Sequence, residues 1–110
     1  MRLVFKVWIE HNGKAFGEGP YALLKGVVDT GSLNKAASRI GMSYNQAWRL
    51  IKSIEGRLGY PLIQSRVGGA AGGGSEVTPQ GRILMEKYSF FREEVKENLE
   101  MLFQKHFGLG

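Results

Sequence analysis

The chain has 110 residues, no cysteine, and 15 Lys and Arg against 10 Asp and Glu, for a formal net charge of +5. That length buries one core without staples and leaves no room for two domains of equal size. The absence of cysteine excludes a disulfide framework and a thiolate metal site. No apolar run is long enough to span a bilayer or serve as a signal peptide, so a soluble cytoplasmic protein with no membrane partner is expected.

Residues 3–9 alternate, with Leu3, Phe5, Val7 and Ile9 on one side and Val4, Lys6 and Trp8 on the other, the period-2 pattern of a half-buried strand. Asn12-Gly13 tolerates the positive φ angles of a tight hairpin turn, so residues 14–17 are expected to return as a short second strand. Trp8, on the more polar side, is expected under another element or in a subunit contact.

Gly19-Pro20 opens the first helix, because proline loses nothing at a position whose N–H has no helical partner. Leu23, Leu24, Val27 and Val28 give this helix a core side. Next comes GSLNKAASRIGMSYNQAWRLIKSIEGRL, residues 31–58, the stretch on which the functional reading depends. Ser32 is an N-cap candidate, followed by Leu33, Ala36, Ala37 and Ile40 at i, i+3, i+4 and i+7. Gly41 stops that helix and Ser43 caps the next one. In the second helix Ala47, Leu50, Ile51, Ile54 and Leu58 share a face, and the other side carries Asn45, Arg49 and Lys52. Three helices, the last two joined by a tight turn, form the usual body of a helix-turn-helix domain.

The charge supports that reading. Residues 31–82 hold Lys35, Arg39, Arg49, Lys52, Arg57, Arg66 and Arg82 against only Glu55 and Glu76, while the rest of the chain balances eight against eight. A basic centre between neutral flanks suits a polyanion, since neutralised phosphates release their condensed counterions.

Gly59-Tyr60-Pro61 ends the second helix of the motif, and residues 62–67 read as a strand. A glycine-rich run over 68–74 comes next, then Glu76-Val77-Thr78 as a returning strand. Such a run is either a linker or the tip of a β-hairpin wing whose bare backbone can approach phosphates. The wing is preferred, because the glycines lead into one helix rather than a second domain. No Lys-Ser or Lys-Thr succeeds the glycines, so this is not a nucleotide-phosphate loop, and no cofactor is expected.

Thr78 caps the last helix, Pro79 starts it, and nothing breaks it before Gly108. Leu84, Tyr88, Phe91, Val95 and Leu102 fall at alternating steps of four and three, with Asn98 in the remaining core-type position. This resembles a short coiled-coil seam whose single Asn would set register. For the first two turns the alternative is a helix packed on its own domain with Asn98 at a wet end, but from Val95 onward no core is expected nearby, which predicts a homodimer. The domain reading is therefore residues 1–78 as a winged helix-turn-helix and residues 79–110 as the C-terminal dimerisation helix of the same domain.

GSLNKAASRIGMSYNQAWRLIKSIE, PLIQSR, the GGAAGGG loop and VTPQGRILMEKY resemble the N-terminal DNA-binding domain of the molybdate-responsive ModE regulators, itself similar to the winged helix-turn-helix of LysR-type regulators. The resemblance covers residues 3–88. Its most specific parts are Met42-Ser43-Tyr44 with Ala47-Trp48, the glycine loop, and Thr78-Pro79 with Gly81. It implies a mainly α fold with small β elements: an N-terminal β-hairpin, a β-wing, and a long C-terminal helix that pairs subunits on double-stranded DNA. By the same resemblance Ser43, Tyr44, Asn45, Arg49 and Lys52 occupy recognition-helix positions, and Arg66 with Gly68, Gly69, Gly72, Gly73 and Gly74 occupies the wing.

The regulators of that family continue into molybdate-binding domains, whereas this sequence stops at Gly110. Binding of molybdate or another oxyanion is therefore not expected of it. The wing tip offers Ala70 and Ala71 in place of Lys or Arg.

The expected DNA-facing set is Ser32, Lys35, Arg39, Ser43, Tyr44, Asn45, Arg49, Lys52 and Arg66. Arg49 has the fork for guanine O6/N7 and Asn45 the amide for adenine N6/N7. Lys35, Arg39 and Lys52 suit phosphates, as do Ser43 and Tyr44 at a helix N-terminus. Trp48 is expected as a hydrophobic anchor against the preceding helix or the wing rather than as a stacking platform. The function expected is sequence-specific transcriptional regulation by a DNA-binding homodimer. The alternative is a protein-interaction module on the same scaffold. An enzyme is not expected: His11 and His106 lie near the two ends and no nucleophile or metal motif is present.

Overall fold

The computed structural model describes residues 1–66 and 74–108. The elements run β1 (Ile9–Glu10), β2 (Lys14–Phe16), α1 (Glu18–Thr30), α2 (Leu33–Arg39), α3 (Tyr44–Leu58), β3 (Ile63–Arg66), β4 (Gly74–Val77) and α4 (Pro79–Phe107). Gly68, Gly69, Gly72 and Gly73 of the expected wing loop lie outside the described residues, while Gly74 opens β4.

The core is the set of apolar stripes that the periodicity marks. Leu23, Leu24 and Val27 of α1, Leu33, Ala36 and Ala37 of α2, and Ala47, Ile51 and Ile54 of α3 close around Phe16, Leu62, Val77, Met85 and Tyr88. Two expected core positions fall outside it: Val28 and Ile40 are exposed, Ile40 because it lies at the C-cap of α2, past the last full turn. Helices α1 and α2 approach so closely that a Cβ on Gly26 would lie 2.6 Å from the Ala36 Cβ.

Hairpin β1–β2 is smaller than the alternation suggests. Only Ile9 and Glu10 pair with β2, although Asn12 and Gly13 do take positive φ angles of 57° and 114°. The alternation has another cause. Leu3, Phe5 and Val7 are half-buried while Val4 and Lys6 are exposed, and the segment packs on α4 rather than on a neighbouring strand. Residues 2–5 share a cleft with Arg92, Lys96 and Glu100, and Met1 reaches Phe103 and Phe107 near the far end of the helix. The Tyr88 hydroxyl donates to the Val7 carbonyl at 3.0 Å and anchors this antiparallel run. Ile9, expected inward, is exposed. Trp8 lies against buried Gly17, where a Cβ would come within 2.5 Å of the indole, and Lys14 Nζ sits 4.4 Å from the ring centroid.

Helix α4 is 29 residues long, capped by the Thr78 hydroxyl, which accepts from the Gly81 N–H at 3.0 Å. Its inward line is Gly81, Met85 and Tyr88, then half-buried Arg92, Val95, Leu99 and Phe103. The first turns thus pack on their own domain, the alternative to the expected seam. Tyr88 is spent in its own core, in edge contact with the Phe16 ring at 5.2 Å, and Leu84 packs against that core. Val95, for which no core is expected nearby, is half-buried. Asn98 is exposed and its amide donates to the Glu94 carbonyl one turn back, at 2.8 Å.

Candidate nucleic-acid interface

The helix-turn-helix is set by local chemistry. The Ser32 hydroxyl accepts from the Lys35 N–H at 3.1 Å and caps α2. Gly41 takes φ 73°, the left-handed conformation glycine adopts at little cost, and turns the chain toward α3. Ser43 accepts from the Gln46 N–H at 3.1 Å while the Gln46 side chain accepts from the Ser43 N–H at 3.0 Å, a complete capping box. Gln46 escaped the sequence reading, although the Ser-x-x-Gln spacing is the signal for this arrangement.

With Ala47, Ile51 and Ile54 buried, the turn of roughly 100° per residue points Asn45 and Arg49 straight away from the core. Both are exposed, and among the described residues Arg49 joins no ion pair. Lys35 is likewise exposed.

The other expected cations are held more tightly than the sequence suggests. Arg39 Nη1 pairs with Asp29 Oδ2 at 3.2 Å, tying α2 to the end of α1. Lys52 Nζ pairs with Glu55 Oε1 at 3.1 Å. Arg66 lays its guanidinium over Gly31 and Gly74, so close that a Cβ on Gly31 would sit 2.9 Å from Nη1. This is the base of the β3–β4 hairpin, where the Ser75 N–H also donates to the Gly31 carbonyl at 2.9 Å. Arg57 Nη1 donates to the Lys14 carbonyl at 2.8 Å, fastening the end of α3 to the first hairpin.

Glu55 is the second residue the sequence did not single out. Its side chain is mostly buried, and Oε2 accepts from the N–H groups of Leu62 and Ile63 at 2.7 and 3.3 Å. The carboxylate therefore fixes the angle between α3 and the strand that begins the hairpin. Only the fold brings residues seven and eight apart across a turn onto one oxygen.

Trp48 is 46% exposed and Tyr44, one turn earlier, is 48% exposed. Both border a cleft with Gln64, Ser65 and Ser75, between α3 and the hairpin. Lys52 Nζ lies 5.7 Å from the Trp48 ring centroid. Among the described residues no group of His, Asp and Glu is placed to hold a metal ion, and no helix is long and apolar enough to cross a membrane.

The family model described as bacterial regulatory helix-turn-helix protein, lysR family, matches residues 21–82, from α1 through the start of α4. The molybdenum transport protein ModE of Herbaspirillum seropedicae is 39% identical over 90 residues, which is 82% of this chain and 32% of that protein. The molybdenum-pterin-binding protein MopB of Rhodobacter capsulatus is 34% identical over 103 residues, 94% of this chain and 38% of its own. The DNA-binding transcriptional dual regulator ModE of Escherichia coli K12 is 28% identical over 81 residues, covering 74% and 31%. The chain thus spans about a third of the length of these relatives. Among solved structures, the BenM_DBD/benA site 1 DNA complex matches 83% of this chain and 94% of that one with a TM-score of 0.58 at 22% identity. ArgP from Mycobacterium tuberculosis matches 77% and 30% with a TM-score of 0.57 at 24% identity. At those identities the two likenesses establish the winged-helix fold, in which β3–β4 is the wing.

Proposed function

As the chain belongs to the lysR family of bacterial regulatory helix-turn-helix proteins, we propose that it binds duplex DNA sequence-specifically and regulates transcription, with α3 in the major groove. The observation that carries this is the outward face of α3: Asn45 and Arg49 project from a rigidly capped helix, opposite its buried stripe, within the segment that holds all of the chain's net positive charge. Arg49 reads guanine and Asn45 reads adenine by paired hydrogen bonds. Lys35, Lys52 and the N-terminal turn of α3, through Ser43 and the Tyr44 hydroxyl, meet phosphates, a role that leaves the Tyr44 ring free. Arg39 and Arg66 contribute field at the phosphate backbone while bracing α2 and the wing. The ModE of Escherichia coli, named as a DNA-binding transcriptional dual regulator, supports this reading of the shared segment.

The chain acts as a homodimer through α4. Support comes from the apolar side chains this helix leaves in water: Ile83, Phe90, Phe91, Met101, Leu102 and Phe107 are all exposed, more than a monomer of this size usually shows along one element. The dimer face is therefore displaced from the expected line, keeping Phe91 and Leu102 and losing Tyr88. Two-fold pairing would present two recognition helices to two half-sites.

Duplex binding tests the reading. Affinity should fall steeply with added salt. Arg49→Ala should cost roughly 10-fold or more on the preferred sequence and flatten base preference, while Lys52→Ala weakens all sequences alike. No binding to any genomic fragment at low salt would overturn it in favour of a protein-interaction module.

A further inference from the structure

Two large aromatic side chains on a DNA-facing helix are unexplained by the hydrogen-bonding residues beside them. Tyr44 and Trp48 stand one turn apart on a single stripe of α3, and neither belongs to the core cluster. About half of each stays in water, which is unfavourable for rings of that size unless a partner covers them. The stripe is the one immediately beside Asn45 and Arg49, rotated toward the wing. Whatever covers the outward face of α3 thus also meets these two rings.

The indole is also held in place. Lys52 sits over it, Glu55 holds Lys52, and the Leu62 and Ile63 N–H groups hold Glu55. This chain of contacts restrains the indole rather than leaving it a floating side chain. The adjoining cleft has a volume of about 140 Å³, below the roughly 300 Å³ at which pockets for drug-sized ligands and cofactors begin. The cleft itself is lined in larger part by polar groups, and the apolar surface is that of the two half-exposed rings at its rim, which suits a small apolar group presented from outside.

In the major groove only thymine offers such a group, its C5 methyl; the other edges present donors and acceptors alone. We propose that Tyr44 and Trp48 form an apolar reading surface for thymine methyl groups, adding a second kind of base recognition beside the hydrogen bonds of Asn45 and Arg49. This rests on the proposed duplex binding. Its consequence is a site rich in A·T next to the position read by Arg49.

The test uses the full chain and a duplex recovered by selection from random-sequence DNA, compared with the same duplex carrying deoxyuridine for thymidine in the selected site. Uracil keeps every hydrogen-bonding atom of thymine and lacks only the methyl. Wild type should bind the uracil duplex about fourfold more weakly for each methyl contacted, the worth of one buried carbon. Trp48→Ala should bind both duplexes equally and Tyr44→Ala should narrow the difference, each with the helical circular dichroism spectrum of wild type, because neither side chain belongs to the core cluster. Equal wild-type affinity for the two duplexes, or discrimination undiminished in Trp48→Ala, would overturn the proposal while leaving duplex binding intact. Failure of wild type to select any duplex would overturn both.

Discussion

The Tyr88 hydroxyl donates to the Val7 carbonyl at 3.0 Å, joining residues 81 apart in sequence. The same oxygen lies 3.4 Å from Glu18 Oε1, and that carboxylate is also the partner of Arg92. One phenol therefore connects the N-terminal segment, the start of α1 and the middle of α4. Burial, then the nearby Glu18 charge, push the Tyr88 pKa above the usual tyrosine value, with Arg92 opposing them. The same Glu18 contact raises the Arg92 pKa further still.

Replacing Tyr88 by Phe keeps the ring in the core and removes only these hydroxyl contacts. The expected cost is about 1 kcal/mol, a fall in melting temperature of roughly 4–8 °C for a domain of this size, with faster amide exchange across residues 3–8. The pH dependence comes from the raised pKa. Below about pH 10 both states hold the phenol proton. Above it the unfolded chain loses the proton first, so stability falls as pH rises through the native value. Tyr88→Phe should show a shallower alkaline loss than wild type in urea titrations between neutral and high pH.

Glu55 is expected to matter more to the wing than to the core. Glu55→Ala leaves the Leu62 and Ile63 N–H groups without their acceptor and releases Lys52. A loss of about 2 kcal/mol is expected from removing a charged acceptor, and Glu55→Gln, which retains one carbonyl oxygen, should cost about half as much. Denaturant midpoints of the three proteins check the order.

Gly26 offers a case in which intrinsic helix propensity and packing disagree. Alanine favours an isolated helix by about 1 kcal/mol over glycine. Here its Cβ would meet the Ala36 Cβ at 2.6 Å and the Ala36 Cα at 2.9 Å. The backbone of α2 must move, and overpacking of this kind costs about 1–3 kcal/mol. Gly26→Ala should therefore lower the urea midpoint. A rise would mean that α1 and α2 can separate freely.

For the dimer, Phe91→Glu with Met101→Lys places charge on the exposed side of α4 without touching Tyr88 or the N-terminal segment. Wild type should sediment as a dimer at tens of micromolar and the double variant as a monomer with an unchanged helical circular dichroism spectrum. A monomeric wild type would remove the proposed pairing.

How much was legible beforehand depended on the range of the forces involved. Caps and stripes are local: Ser32, Ser43, Thr78 and Gly41 act within one turn, and Ala47, Ile51 and Ile54 repeat with the helix, so the helix-turn-helix and its outward Asn45 and Arg49 could be read directly from residue order. The strands of the wing were found to within a residue or two by β-type patterning on both sides of the glycines. Between residues 3 and 9 the alternation marked one buried side but not its partner, because period-2 burial is the same against a strand or along a helix. Along α4 heptad spacing shows that a stripe will be covered, and only the fold decides that Tyr88 is buried and Val95 half-buried while Phe90, Phe91 and Met101 stay exposed. Charge partners divide in the same way. Asp29 reaches Arg39 across a helix crossing that sequence spacing does not encode, whereas Lys52 and Glu55 are i,i+3 neighbours on α3 and legible from spacing. Residue order alone thus determined the caps, the helices of the motif and the outward face of α3. Tertiary structure decided what each hidden surface lies against, because contact between distant segments depends on three-dimensional packing that no local period records.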